Sequence, residues 1–168
     1  YTLDNYYFLT HIRSIMDAKF INPFLSSIHN VLSTMAMMEI KPGKPEVKND
    51  TIAKGDVTGL MGMTSDQIKG SIAITFTEPM ILEICNRMLG EKPDSMNEMT
   101  ADLAGEITNM VTGGAKNILN EMGYNFDMAI PAVVSGHGHE INHKSDGSKI
   151  LIPFKSDDGE IFVEICFE

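Results

Sequence analysis

The sequence predicts a two-layer α+β domain, with long helices packed on one face of a mostly antiparallel sheet. Three observations carry this expectation. Two long stretches repeat their apolar residues at helical spacing, several short stretches alternate as strands do, and the strands are joined by turns that favour hairpins over βαβ crossovers. In chain order the elements read helix, two strands, two helices, then three or four strands. The first helix and the long helix each precede a strand pair, which hints at an internal duplication.

A chain of 168 residues fits one domain, and 43% hydrophobic residues in alternating patterns are enough to build a substantial core. With 23 acidic against 13 basic residues, a net charge of −10 repels phosphate backbones and anionic lipid. Nucleic acid and membrane are therefore excluded as expected partners. Cys85 and Cys166 each sit in an apolar run, which suits buried thiols in a reducing cytoplasm better than a disulfide. No stretch reaches the roughly 18 uninterrupted apolar residues of a membrane span, and none reads as a cleavable signal. Thirteen methionines and no tryptophan point to a pliable core.

Residues 1–15 hold three of the four tyrosines and precede Met16, which looks like a natural start. They are expected to be an expression-derived leader or an upstream extension, with the domain spanning 16–168. The first helix is expected from Asp17 to about Met38, with Phe20, Phe24, Ile28, Val31, Leu32 and Met35 on the core and Pro23 tolerated near its start. Lys41 to Asp50, with Pro42, Gly43 and Pro45, reads as a loop or irregular edge. Gly55 to Met63 and Ile68 to Thr77 read as a hairpin turning at Ser65-Asp66-Gln67, the second strand placing Ile68, Gly70, Ile72, Ile74 and Phe76 on one face. A short helix, Met80 to Leu89, opens after Glu78-Pro79 and closes at Gly90. Phe126 to Ser135 is a strand held to an edge or bulge by Pro131. Ile150 to Phe154 and Ile161 to Phe167 form the last hairpin, across Asp157-Asp158-Gly159.

The longest helix, Thr100 to Gly123, organises the rest. Thr100 is its expected N-cap, Asp102 suits the first turn and Gly123 suits a left-handed terminus. Winding it at about 100° per residue puts Leu103, Ile107, Met110, Val111, Ile118 and Met122 on a core arc. Beside that arc runs a stripe of Asp102, Glu106, Asn109, Gly113 and Asn120, with neither lysine nor large apolar residue. A solvated face would ordinarily mix Lys with Glu in i,i+4 pairs, so this stripe is a candidate site. Glu106 and Asn109 project side by side. Each mid-helix glycine costs roughly 1 kcal/mol against alanine, a cost that tight packing or a close partner would offset; Gly114 points toward the core arc and Gly113 does not.

Other motifs carry less. His139-Glu140-Ile141-Asn142-His143 has the spacing of a zinc peptidase motif, but that motif needs a helix, where the two imidazoles rise only ~6 Å apart. Here they lie among Gly, Ser, Asn and Asp, and an extended segment would part them by ~13 Å. No serine or cysteine sits in an elbow-like turn, and Gly59-Leu60-Met61-Gly62 lacks the Lys-Ser/Thr of a phosphate-binding loop. No metal site of the chain's own is expected.

The stripe is where a resemblance enters. The family of chemotaxis phosphatases CheC, CheX and FliY carries Asp or Ser, three residues, Glu, two residues, Asn, and a Pro about twenty-two residues on. This chain is similar: Asp102, Glu106 and Asn109, with twenty-one residues, 110 to 130, before Pro131. Met16-Asp-Ala-Lys-Phe-Ile-Asn-Pro-Phe-Leu also resembles a CheX opening. Glu46-x-x-Asn49 and Glu83-x-x-Asn86 share the short spacing but lack the rest, and the first helix has no Glu-x-x-Asn, so the chain resembles the one-site CheX type. The resemblance implies a phosphatase acting on the phosphoaspartate of a CheY-like response regulator. In that role Asn109 orients water, Glu106 docks the regulator, and Asp102 and Gly113 meet its surface. It implies no cofactor of the chain's own, Mg²⁺ in the partner regulator, and a homodimer joined through sheet edges. A non-catalytic interaction module of related fold stays open as the alternative.

Overall fold

The structure, a computed structural model, describes residues 18–168. The expected leader at 1–15 and the expected start at Met16 and Asp17 lie outside the described residues. Among the described residues three helices, α1 (Ala18–Met35), α2 (Glu78–Leu89) and α3 (Glu98–Glu121), pack on one face of an eight-stranded antiparallel sheet. The strands are β1 (Lys41–Pro42), β2 (Glu46–Lys48), β3 (Val57–Thr64), β4 (Lys69–Phe76), β5 (Asp127–Met128), β6 (Ala132–Ser135), β7 (Lys149–Ser156) and β8 (Gly159–Phe167). Their order is β1-β7-β8-β4-β3-β5, with β2 also on β7 and β6 also on β3. The expected α+β class and helix layer are thus observed.

The duplication is visible in this topology. Each half supplies a long helix, a pair of short strands and a long hairpin, and each pair of short strands completes the other half's hairpin. The β4–β8 pairing joins the halves at the centre. Prolines break both outer edges: Pro42 and Pro45 flank the gap between β1 and β2, and Pro131 separates β5 from β6.

The core lies where the helices meet the sheet. Phe24, Ile28 and Leu32 of α1, Met80 and Ile84 of α2, and Leu103, Ile107 and Val111 of α3 pack against Ile72, Ile74 and Phe76 of β4 and Ile161, Val163 and Ile165 of β8. The opposite face of the sheet is covered as well, by connecting segments. Ile141 packs there on Ala53 and Ala73, and a buried polar chain runs beside it. Lys48 Nζ donates to Glu164 Oε1, and His143 joins Glu164 Oε2 at 3.2 Å to Ser71 Oγ at 2.6 Å.

Several expectations need correction. Helix α1 stops at Met35 rather than near Met38, because Ala36 and Met38 both turn their amides back to Leu32 O and Met37 adopts φ 49°. Of the two readings of Lys41 to Asp50, a loop or an irregular edge, the structure shows the edge: β1 and β2 pair with β7 and are too short to show a period. The expected strand Phe126 to Ser135 is two strands, split around Pro131. The N-cap of α3 is Asn97, not Thr100. Asn97 Oδ1 accepts the Thr100 amide at 3.1 Å, and Thr100 Oγ1 accepts the Asn97 amide at 2.9 Å, a reciprocal capping box. Ile118 and Met122 are 36% and 41% exposed, off the core arc. The inward face is completed by Leu119, not Ile118, and by Ala104, Thr108, Thr112 and Ala115, which a pattern of large apolar residues alone overlooks.

Candidate active site

Helix α3 is fixed in rotation by two close approaches that only glycine permits and a third that is tight. At Gly59 of β3, a Cβ would stand 2.0 Å from Thr108 Oγ1 and 2.9 Å from Ala104 O, so the helix rests directly on the strand. At Gly114, a Cβ would stand 2.3 Å from Ser27 Oγ; that hydroxyl instead donates to Val111 O at 2.7 Å and ties α1 to α3. At Gly105, the nearest atom is Val133 Cγ2 of β6, at 3.0 Å. With Thr108, Gly114 and Gly105 turned inward or sideways, the remaining face of the rod turns out.

That outward face carries the predicted residues. Asp102 and Glu106 are exposed, and Asn109 and Gly113 are half-buried. A Cβ on Gly113 would meet nothing within 4 Å, whereas its neighbour Gly114 has no such room. Glu106 and Asn109, three residues apart on one helix, have Cβ atoms about 5–6 Å from each other. Among the described residues, the side chains of Asp102, Glu106 and Asn109 take part in no hydrogen bond or ion pair. Pro131 stands apart from this row, half-buried between β5 and β6, beside the strand that contacts Gly105. The four residues Asp102, Glu106, Asn109 and Gly113 are therefore brought together on one open ridge, and Pro131 is not in the row.

The ridge has a border that sequence reasoning missed. An open hollow between α2 and α3 is lined by Leu89, Glu98, Met99, Asp102, Leu103 and Glu106. Leu89, the last residue of α2, is 53% exposed. Its place immediately before Gly90, whose φ of 73° ends the helix, was the one available signal.

The histidine motif takes another role. The segment is not helical, and its two imidazoles point to different strands: His139 Nε2 lies 2.6 Å from Thr58 Oγ1 on β3, and His143 is held by Ser71 and Glu164. They clasp the segment to the sheet on either side of buried Ile141. Burial pushes the Glu164 carboxyl up, but hydrogen bonds from His143 and Lys48 outweigh this and hold it below the usual carboxylate range. Among the described residues no group of three His, Cys, Asp or Glu side chains could hold a metal ion. Cys85 and Cys166 are buried and unpaired, and burial pushes the Cys85 thiol up. No helix among the described residues is long and apolar enough to cross a membrane.

Fold and site together define a two-layer α+β domain that offers a carboxylate and a carboxamide from one rigid helix. The family model described as chemotaxis phosphatase CheX matches residues 57–155, a span that includes the whole signature, and the chain belongs to that family. A CheC-like superfamily protein from Shewanella sp. PV-4 is 63% identical, with a TM-score of 0.86 over 91% of this chain and 99% of that one. The chain also resembles the CheX of a CheX–CheY–BeF3–Mg²⁺ complex from Borrelia burgdorferi, at 29% identity and a TM-score of 0.74, over 89% of this chain and 97% of that one. The CheY-P phosphatase CheX of Thermotoga maritima is 26% identical over 154 residues, covering 89% of this chain and 97% of the relative.

Proposed function

We propose that this chain accelerates hydrolysis of the phosphoaspartate of a CheY-like response regulator, with Asn109 orienting the attacking water and Glu106 docking the regulator. The observation that carries this reading is the uncommitted pair itself. A carboxylate and a carboxamide stand side by side on an open ridge with no internal partner among the described residues, in a family whose relatives include a CheY-P phosphatase and a CheX bound to CheY.

The chemistry suits these groups. Acyl phosphate hydrolysis needs a water held in line with the departing aspartyl carboxylate, and a carboxamide can both donate to and accept from that water. It does so without being ionised. The Mg²⁺ that neutralises phosphoryl charge belongs to the regulator. A hundredfold acceleration asks for only ~3 kcal/mol, within the reach of orientation alone. Ionised Glu106 accepts hydrogen bonds only, so a lysine beside the regulator's phosphorylation site is its natural partner. Asp102 extends that anionic contact by one turn. Gly113 leaves clearance for the regulator's surface. Two such chains joined through sheet edges would carry two sites, and sedimentation would show a dimer; a clean monomer at micromolar concentration counts against that assembly.

The test is phosphate release from receiver domains of the organism that encodes the chain, each phosphorylated with acetyl phosphate. Asn109→Ala should fold normally and lose activity, and Glu106→Ala should bind more weakly and turn over more slowly. Hydrolysis by Asn109→Ala at the parent rate would refute the assignment. A parent protein that binds a receiver without hydrolysing it would instead be the non-catalytic interaction module.

A further inference from the structure

The hollow beside the ridge has an apolar floor and an anionic rim that the fold leaves unbalanced. Glu98, Asp102 and Glu106 stand at i, i+4 and i+8 along α3, a spacing that sets like charges one turn apart and costs a few tenths of a kcal/mol per pair. Among the described residues none of the three has a counter-charge. The cations that follow along α2 and its loop are committed elsewhere. Arg87 is bound to Glu83 at 3.0 Å and Asp158 at 3.2 Å, and Lys92 to Glu83 at 3.1 Å. Leu89 closes the hollow from α2 with half its surface in solvent, while Met80, Ile81, Leu82, Ile84 and Cys85 of the same helix are buried.

This hollow is continuous with the proposed site, because Asp102 and Glu106 line both. Its far end does not reach the chemistry: Glu98 lies eleven residues before Asn109, about 16 Å along the helix axis. A partner segment seated at the Leu89 and Glu98 end therefore meets this chain without bringing the reacting phosphoryl group there.

We propose that the hollow receives a basic, apolar-flanked segment of the phosphorylated receiver, next to its phosphorylation pocket, and that Leu89 and Glu98 set which receiver is accepted. The inference rests on the phosphatase reading above and gives it a specificity surface. The occupant follows from charge and shape: three uncountered carboxylates ask for lysine or arginine, and an exposed leucine over Met99 and Leu103 asks for an apolar side chain between them. Docking residues of this kind act on association and leave the chemical step alone.

The experiment is steady-state phosphate release from the same panel of acetyl-phosphate-labelled receivers, using Leu89→Lys, Glu98→Gln and Leu89→Met. Lysine at the C-terminal end of α2 agrees with the helix dipole, so Leu89→Lys should fold. It should raise KM about tenfold with kcat within about twofold of the parent, and Leu89→Met should restore the parent KM. Glu98→Gln should raise KM about threefold and flatten the fall of kcat/KM with salt. Should Leu89→Lys melt early, Glu98→Gln on the exposed first turn decides. Parent-like KM and salt dependence in both charge variants overturn the inference. If Asn109→Ala is inactive while these variants match the parent, the specificity surface alone is wrong; a parent that neither binds nor hydrolyses any receiver overturns both readings.

Discussion

Alanine at Gly113 and alanine at Gly114 should move stability in opposite directions, although the two positions are adjacent on α3. Each replacement removes backbone freedom from the unfolded chain and should gain up to about 1 kcal/mol in a helix interior. At Gly113 nothing lies within 4 Å of the new methyl group, so the gain is kept. At Gly114 the methyl would stand 2.3 Å from Ser27 Oγ and 3.3 Å from Ser27 Cβ. Ser27 must then rotate away from Val111 O, or α1 must shift from α3. Leaving a buried hydroxyl unpaired costs about 1–3 kcal/mol, and overpacking adds about 1–3 kcal/mol. Against the ~1 kcal/mol propensity gain, the net loss is about 1–5 kcal/mol.

Thermal unfolding followed by circular dichroism measures both. At about 2–4 °C per kcal/mol for a chain of this size, Gly113→Ala should melt ~2 °C higher and Gly114→Ala several degrees lower. Phosphate release separates the two again. On the proposed docking, Gly113→Ala should be the more stable protein and the slower phosphatase, because its methyl group would occupy clearance left for the regulator. A Gly114→Ala protein as stable as its parent would refute the packing account of α3, and a Gly113→Ala protein with full activity would refute the clearance account.

Other perturbations test the frame. Asn97→Ala removes one side of the capping box and should cost about 1 kcal/mol in denaturant unfolding, whereas an uncapped helix would show no change. Gly59→Ala drives a methyl group into Thr108 and should destabilise more than Gly114→Ala, since backbone as well as side chain stands in its way. Glu164 gives a pH signature. Its folded carboxyl is held below the ordinary value of 4.5, so its contribution is present above that value and is lost as pH falls through the lower folded one. Glu164→Gln should flatten this part of the acid unfolding curve, and at neutral pH it should cost about 3 kcal/mol, because buried Lys48 keeps only the exposed Asp50 carboxylate, 3.8 Å away.

What could be read from sequence was what local periodicity encodes. Helix α3, its signature residues and the opposed environments of Gly113 and Gly114 all follow from winding one segment. The β3–β4 and β7–β8 hairpins follow from alternation and turn residues. Features that depend on a distant partner were not legible. Strands of two or three residues have no period, so β1, β2 and β5 exist only because β7 and β3 pair with them. The Lys48–Glu164 contact joins residues 116 apart, and neither neighbourhood announces it. Asn97 was readable in principle, but the helix was sought from its first apolar repeat rather than from the reciprocal Asn–Thr pair upstream. The exposure of Leu89 depends on where the neighbouring helix lies, which the sequence of α2 alone does not encode.

The internal duplication bears on how complete the loss in Asn109→Ala should be. Helices α1 and α3 are counterparts, each leading into a short strand pair and a hairpin, and they cross where Ser27 fills the space at Gly114. A frame repeated in this way could in principle present two sites. The outward residues of α1, however, among them Asn22, Ser26, His29 and Asn30, include no carboxylate, so none stands three residues ahead of a carboxamide. On the proposed reading, water orientation needs the amide and docking needs the acid at one spacing; α2 has that spacing at Glu83 and Asn86, but Glu83 is bound to Arg87 and Lys92, whereas Glu106 and Asn109 of α3 are uncommitted among the described residues. A single substitution at Asn109 should therefore remove hydrolysis entirely rather than halve it. Residual activity near half of the parent rate would mean that α1 carries a second site built from other groups, and that the two side chains on α3 are not the whole catalytic apparatus.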